Sequence, residues 1–131
     1  SLVINLEKTK FLARINDNGK TFLVGSNGKL STENHYNAKL PFIFGNPSIK
    51  KFLEFKKIID NSEISYDTIK NLYFFPSKRW DLELEDNLVI KLPPKNIKYS
   101  LKLISEFLIT KKNNDIKIID ARIKDQIILN E

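Results

Sequence analysis

The side chains able to do chemistry are few, and their spacing limits what they can do. His35 is the only histidine, and cysteine is absent. Thiol catalysis, disulfides and cysteine-rich zinc sites are therefore excluded together. A lone imidazole in a polar stretch, with no second His or Cys, cannot anchor a typical transition-metal site. Gly19, Gly25, Gly28 and Gly45 form no phosphate-cradling pattern, and no serine stands in a nucleophile elbow. The densest ionisable set is Arg79, Asp81, Glu83 and Glu85, at every second position. That spacing places all four on one side of an extended chain. Three carboxylates in a row are either a divalent-ion site, the machinery of a carboxylate-based hydrolase, or the wet face of a sheet. The wet face is the favoured reading, because Lys91 can oppose Asp81.

The element that must hold this row is a hairpin. Trp80, Leu82 and Leu84 alternate with Arg79, Asp81, Glu83 and Glu85, and Leu88, Ile90 and Leu92 resume the apolar alternation. A two-residue Asp86-Asn87 loop would throw the two apolar faces out of step. A three-residue loop, Glu85-Asp86-Asn87, pairs Leu84 with Leu88, Leu82 with Ile90 and Trp80 with Leu92. It requires a left-handed residue at its end, which Asn tolerates.

The remaining chain supplies the cover. Residues 2–7, 11–15 and 21–24 read as strands, with Phe11, Ala13 and Ile15 sharing a face. Asn18-Gly19 and Asn27-Gly28 read as turns, with a return strand from Lys29-Leu30. Residues 40–45 read as an apolar loop leading to a helix capped by Asn46, with Pro47 at its first position and its end near Asn61. Ile49, Phe52, Leu53, Ile58 and Ile59 form its apolar side. Residues 69–75 read as a strand. Asn96 caps a second helix with the stripe Ile97, Leu101, Ile104 and Leu108. Residues 111–114 read as a turn, and residues 116–123 and 126–130 as strands. The fold class is α+β: a mixed, largely antiparallel sheet with helices packed on one face.

Composition narrows the function. At 131 residues and 41% hydrophobic content, the chain is one domain, or one domain with a piece of another, and has a real core. It begins at once inside a strand-like run, so a fragment of a longer protein is expected. The net charge is +6, but only Arg14, Arg79 and Arg122 of the 22 basic residues are arginine, and the lysines are scattered. A solvated surface is favoured over a patch for nucleic acid or an acidic membrane. An interaction module is then the leading class. The uncharged run Ile127-Ile128-Leu129 is either an edge strand with free backbone groups for a partner or an ordinary covered strand.

Three landmarks stand in order: Leu40-Pro41-Phe42-Ile43-Phe44-Gly45 before a helix, the Arg79-Trp80-Asp81 hairpin ending in Leu92-Pro93, and Asp120-Ala121-Arg122 near the C-terminus. Together they resemble the FtsQ/DivIB family of bacterial cell-division proteins. Asn87 stands where the family usually has Gly. The resemblance implies that residues 1–12 close a POTRA domain and its junction, and that residues 13–131 form the family's β domain. It implies no catalysis and no cofactor. It implies a divisome scaffold in a single-pass inner-membrane protein, with this domain in the periplasm and enrichment at the septum. The implied partners are FtsB- and FtsL-type division proteins, with strand addition at the last strand. The implied docking residues are Arg122, Ile123, Asp125, Gln126, Ile127, Ile128 and Leu129. Arg79 is implied to lie near the interface, as a charge-assisted contact for a partner carboxylate. The alternative is a basic nucleic-acid-binding module.

Overall fold

The computed structural model describes residues 9–32, 39–110 and 115–130. The strand expected at residues 2–7, His35 and the turn expected at residues 111–114 lie outside them. In chain order the elements are β1 (Phe11–Asp17), β2 (Lys20–Gly25), β3 (Leu30–Ser31), β4 (Phe42–Phe44), α1 (Ile49–Asp60), a 3-10 turn (Tyr66–Thr68), β5 (Ile69–Phe74), β6 (Trp80–Leu84), β7 (Val89–Lys91), α2 (Ile97–Thr110), β8 (Ile118–Asp120) and β9 (Ile128–Asn130).

The hairpin takes the register its side chains require. Asp81 faces Lys91 and Leu82 faces Ile90. The Leu84 N–H donates to the Leu88 carbonyl at 2.9 Å, and the Leu92 N–H to the Trp80 carbonyl at 3.1 Å. Asn87 is left-handed, at φ 69°. Asn18-Gly19 likewise turns β1 into β2 with two positive φ angles. One facing expectation fails at Phe11, which is exposed while Ala13 and Ile15 are buried. The β1–β2 register shifts between Phe11 and Ala13, and such a bulge breaks the two-residue alternation.

Among the described residues, all nine strands join one sheet in the order β3-β2-β1-β4-β5-β6-β7-β8-β9. The pairs β1/β4, β4/β5 and β7/β8 are parallel, and the other neighbours are antiparallel. The segment expected as an apolar loop, residues 40–45, therefore contains β4, an interior strand. Three residues flanked by parallel neighbours are too short to show a period, so the pattern resembles an apolar loop. Gly45 ends β4 at φ 95°, and a Cβ there would collide with the Phe74 carbonyl oxygen.

Both helices pack on the same face of the sheet. Phe52, Phe55 and Ile59 of α1 and Leu101 and Ile104 of α2 join Ala13, Ile15, Val24, Ile43, Leu72, Leu82, Ile90 and Ile119 in one core. Trp80 stacks on Phe55 with centroids 4.5 Å apart and planes 4° from parallel. The cap of α1 is Ser48, not Asn46: its hydroxyl accepts the Lys51 N–H at 3.1 Å. Asn and Ser cap about equally well, and here Pro47 is buried ahead of the helix, which leaves Ser48 at the cap. Asn96 sits before α2 in a left-handed conformation (φ 60°), and its carbonyl accepts the Ser100 N–H at 3.2 Å. Among the described residues no helix is long and apolar enough to cross a membrane.

Candidate functional site

Among the described residues β9 is an edge strand of the sheet, and its backbone polarity can be assigned. The Val89 N–H donates to the Lys117 carbonyl and the Ala121 N–H to the Lys91 carbonyl, both at 2.9 Å. With Ile90 paired to Ile119, the backbone groups of Ile119 turn toward β7. Those of Ile118 and Asp120 turn the other way, toward Asn130 and Ile128 on β9. Ile128 and Asn130 thus point their N–H and C=O groups into the sheet. Leu129, between them, points its own outward. Its side chain lies over Ile119 on the helix side, while Ile128 lies beside Asp120 on the open side. Both are about two-fifths exposed, Ile128 at 40% and Leu129 at 39%.

The segment that brings β9 to the edge is built from the expected docking residues. The Arg122 guanidinium grips both carboxylate oxygens of Asp120 at 2.9 and 2.7 Å, and the Arg122 N–H returns to Asp120 Oδ1 at 3.0 Å. These bonds hold the Asp120 carboxyl below its usual range, and the Lys91 charge adds to the effect. The same carboxylate raises the already high pKa of Arg122. The Gln126 N–H donates to the Ile123 carbonyl at 3.1 Å, with Asp125 left-handed at φ 60°. Ile127 is half-buried against the core. Arg122, Asp125 and Gln126 therefore shape a turn. Between this turn and the start of α2 lies a groove of about 440 Å³, whose far wall includes Pro93, Tyr99 and Leu103. The sequence reading did not include that wall. Its one signal was Tyr99, an aromatic residue off the apolar stripe of α2, and Tyr99 is 51% exposed.

Across the open face, charges alternate toward the edge. Arg79 donates to Asp81, Asp81 opposes Lys91, Lys91 opposes Asp120, and Asp120 holds Arg122. Arg79 also lies 4.4 Å from the Phe75 ring centre. Two strands separate β6 from β9, which is roughly 14 Å between strand axes. Touching Arg79 therefore requires a partner segment that crosses the open face, beyond any added strand. The wet-face expectation is corrected at Asp81, which is only 7% exposed because Arg79 folds over it. Glu83 accepts from Asn71 at 2.7 Å and from the Tyr73 hydroxyl at 3.1 Å. Desolvation and that carboxylate push the Tyr73 hydroxyl pKa up. Among the described residues no group of three His, Cys, Asp or Glu side chains could hold a metal ion.

Comparison with known proteins adds a family. The model of the family described as "Cell division protein FtsQ/DivIB, C-terminal" matches residues 13–122. No curated protein matches the chain. Among solved structures, the chain is similar to the major extracytoplasmic domain of the trans isomer of the cell-division protein DivIB from Geobacillus stearothermophilus. The TM-score is 0.53 at 12% identity, covering 81% of this chain and 99% of that one. At that identity the likeness concerns the fold, a mixed α+β sheet with two helices.

Proposed function

We propose a function on one premise: the chain belongs to the FtsQ/DivIB family of cell-division proteins. The domain is a non-enzymatic scaffold that binds FtsB- and FtsL-type partners and so recruits and regulates the septal machinery. Binding proceeds by strand addition at β9. Arg122, Ile123, Asp125, Gln126, Ile127, Ile128 and Leu129 form the docking region, and Arg79 meets a partner carboxylate that reaches over the open face. On this reading residues 1–12 close a preceding POTRA domain. The parent protein spans the inner membrane once, holds this domain in the periplasm and works at the septum.

The observation that carries the reading is the outward N–H and C=O of Leu129 on the terminal strand of the sheet. An added strand makes main-chain bonds there. The nucleic-acid alternative gains nothing from the arginines. Arg14 is turned to the Leu40 carbonyl at 3.2 Å, Arg79 to Asp81 and Arg122 to Asp120. The test is amide hydrogen exchange with and without a peptide from the cognate FtsB-type partner. Strand addition slows exchange at Leu129 and leaves Ile128, already bonded within the sheet, little changed. Peptide binding with no added protection at Leu129 would sink the strand-addition mode.

A further inference from the structure

The charge of the chain is concentrated on one side of the fold. Lys50, Lys51 and Lys57 of α1, Lys98 and Lys102 of α2, and Lys95 just ahead of α2 are all exposed. Both helices lie on the same face of the sheet, so these lysines share one outer layer. With Lys56 counted, and against Glu54, Asp60 and Glu106, residues 49–60 and 95–110 carry a net +4 of the chain's +6. Positions that look scattered along the sequence are gathered by the fold. On the opposite, open face, by contrast, cations and anions alternate and pair.

Two features identify what this layer fits. All three arginines lie in or beside the strands, so the layer offers compact ammonium charges and no guanidinium forks. Planar forks serve phosphodiester and base recognition, whereas a diffuse anionic surface needs only charge density. Second, the exposed stripe Lys95, Lys98, Lys102, Glu106 and Ile109 runs along α2 at helical spacing, with Tyr99 beside it. Ile109 is 78% exposed and Tyr99 is 51% exposed. An aromatic ring with a polar tip, an alkyl side chain and lysines on flexible stems suit the headgroup zone of a bilayer.

We propose that the helix layer docks on an anionic phospholipid surface, with the lysines of α1 and α2 over the headgroups and Tyr99 and Ile109 at their level. The β9 edge lies in the plane of the sheet, so it stays open in this pose. The inference does not rest on strand addition.

The test is co-sedimentation of the whole chain with vesicles of phosphatidylcholine, with and without roughly 30% phosphatidylglycerol. Binding is expected only with the anionic lipid, and it should weaken as salt rises from about 50 mM to about 300 mM. Each neutralised lysine should weaken binding about fivefold, so Lys98→Gln with Lys102→Gln should cost about 25-fold. Ile109→Ser should weaken it further without changing the salt dependence. These positions are exposed, and circular dichroism checks that the variants are folded. Absence of binding at low salt, or a double variant that binds like the parent, overturns the proposal. So does duplex DNA binding lost in the double variant while vesicles never bind, which would assign the layer to nucleic acid. Leu129→Pro should leave vesicle binding intact, and the lysine variants should leave peptide binding intact, so this inference and the scaffold reading fail separately.

Discussion

Leu129→Pro and Ile128→Pro remove adjacent N–H groups that face opposite ways, and the structure predicts opposite consequences. The Ile128 N–H faces Asp120 on β8. Losing it leaves a ladder carbonyl without its donor, at about 1–3 kcal/mol, and loosens the final strand. The Leu129 N–H faces away from the sheet. Proline there removes no internal bond, and it restricts Ile128 to the extended backbone that Ile128 already has. The Leu129 side chain is 39% exposed, so its partial replacement by the proline ring costs about 1 kcal/mol or less. Partner binding reverses the order. An added strand meets Leu129, and without that N–H one partner carbonyl is stranded at about 1–3 kcal/mol, an affinity loss of about 5- to 150-fold. Urea denaturation measures the first quantity. Anisotropy of a labelled FtsB-type peptide measures the second, with Leu129→Ala as the side-chain control. A Leu129→Pro variant of near-native stability that binds the peptide like the parent would refute the backbone assignment or the docking mode.

Three other perturbations test the supports of this edge. Trp80→Ala removes the ring stacked on Phe55 and tilted against Phe74, and should cost about 3–5 kcal/mol in urea denaturation. Arg79→Ala leaves the buried Asp81 without its guanidinium and should cost about 1–3 kcal/mol, part of which Asp81→Ala in the same chain recovers. Asp120 has a folded pKa below its unfolded value, chiefly through the Arg122 hydrogen bonds. Its stabilisation is therefore present above about pH 4 and lost as pH falls through the lower folded value. Asp120→Asn should be less stable at pH 7, and the gap in melting temperature should close in that acid window. A gap that stays constant to the lowest pH measured would rule out the linkage.

The hairpin was legible because each of its residues votes twice, once by alternation and once by the partner it needs. Only the three-residue loop puts Leu82 opposite Ile90, and Asn87 can adopt the backbone that loop requires. The central strand β4 was not legible. Phe42, Ile43 and Phe44 carry no period, and what makes them a strand is β1 on one side and β5 on the other, contacts across long stretches of chain. The cap of α1 failed for a smaller reason: two acceptable capping residues stand two positions apart, and the burial of Pro47 decides between them. For the candidate site, a strand was legible at residues 126–130, of which Ile128–Asn130 form β9. Which of its amides faces outward was not, because that depends on the parallel pairing of β7 with β8. Asp81 looked exposed because alternation assigns a face but does not say whether a neighbour such as Arg79 covers it.

A strand of three residues at a sheet edge would ordinarily fray, so the proposed use of β9 as a template has to be explained. Four constraints hold it. Arg122 clamps Asp120 as the chain leaves β8. The Ile123–Gln126 bond and the left-handed Asp125 turn the chain back. Ile127 seats on the core, and the Lys117 N–H fixes the Asn130 carbonyl at 2.8 Å. Each constraint acts on the side of β9 that faces the protein or on the turn before it, and none uses the outward groups of Leu129. The ordering cost of the docking strand is thus met during folding, and an arriving partner has only its own segment to order. A short edge also limits the hazard it creates, because three residues offer too few backbone bonds to hold a second copy without side-chain contacts specific to the partner. The clamp and the turn are therefore positioning elements. In the proposed docking mode, substitutions at Asp120, Arg122 or Asp125 weaken binding through the order of β9 as well as through any direct contact, and Leu129 supplies the backbone contact.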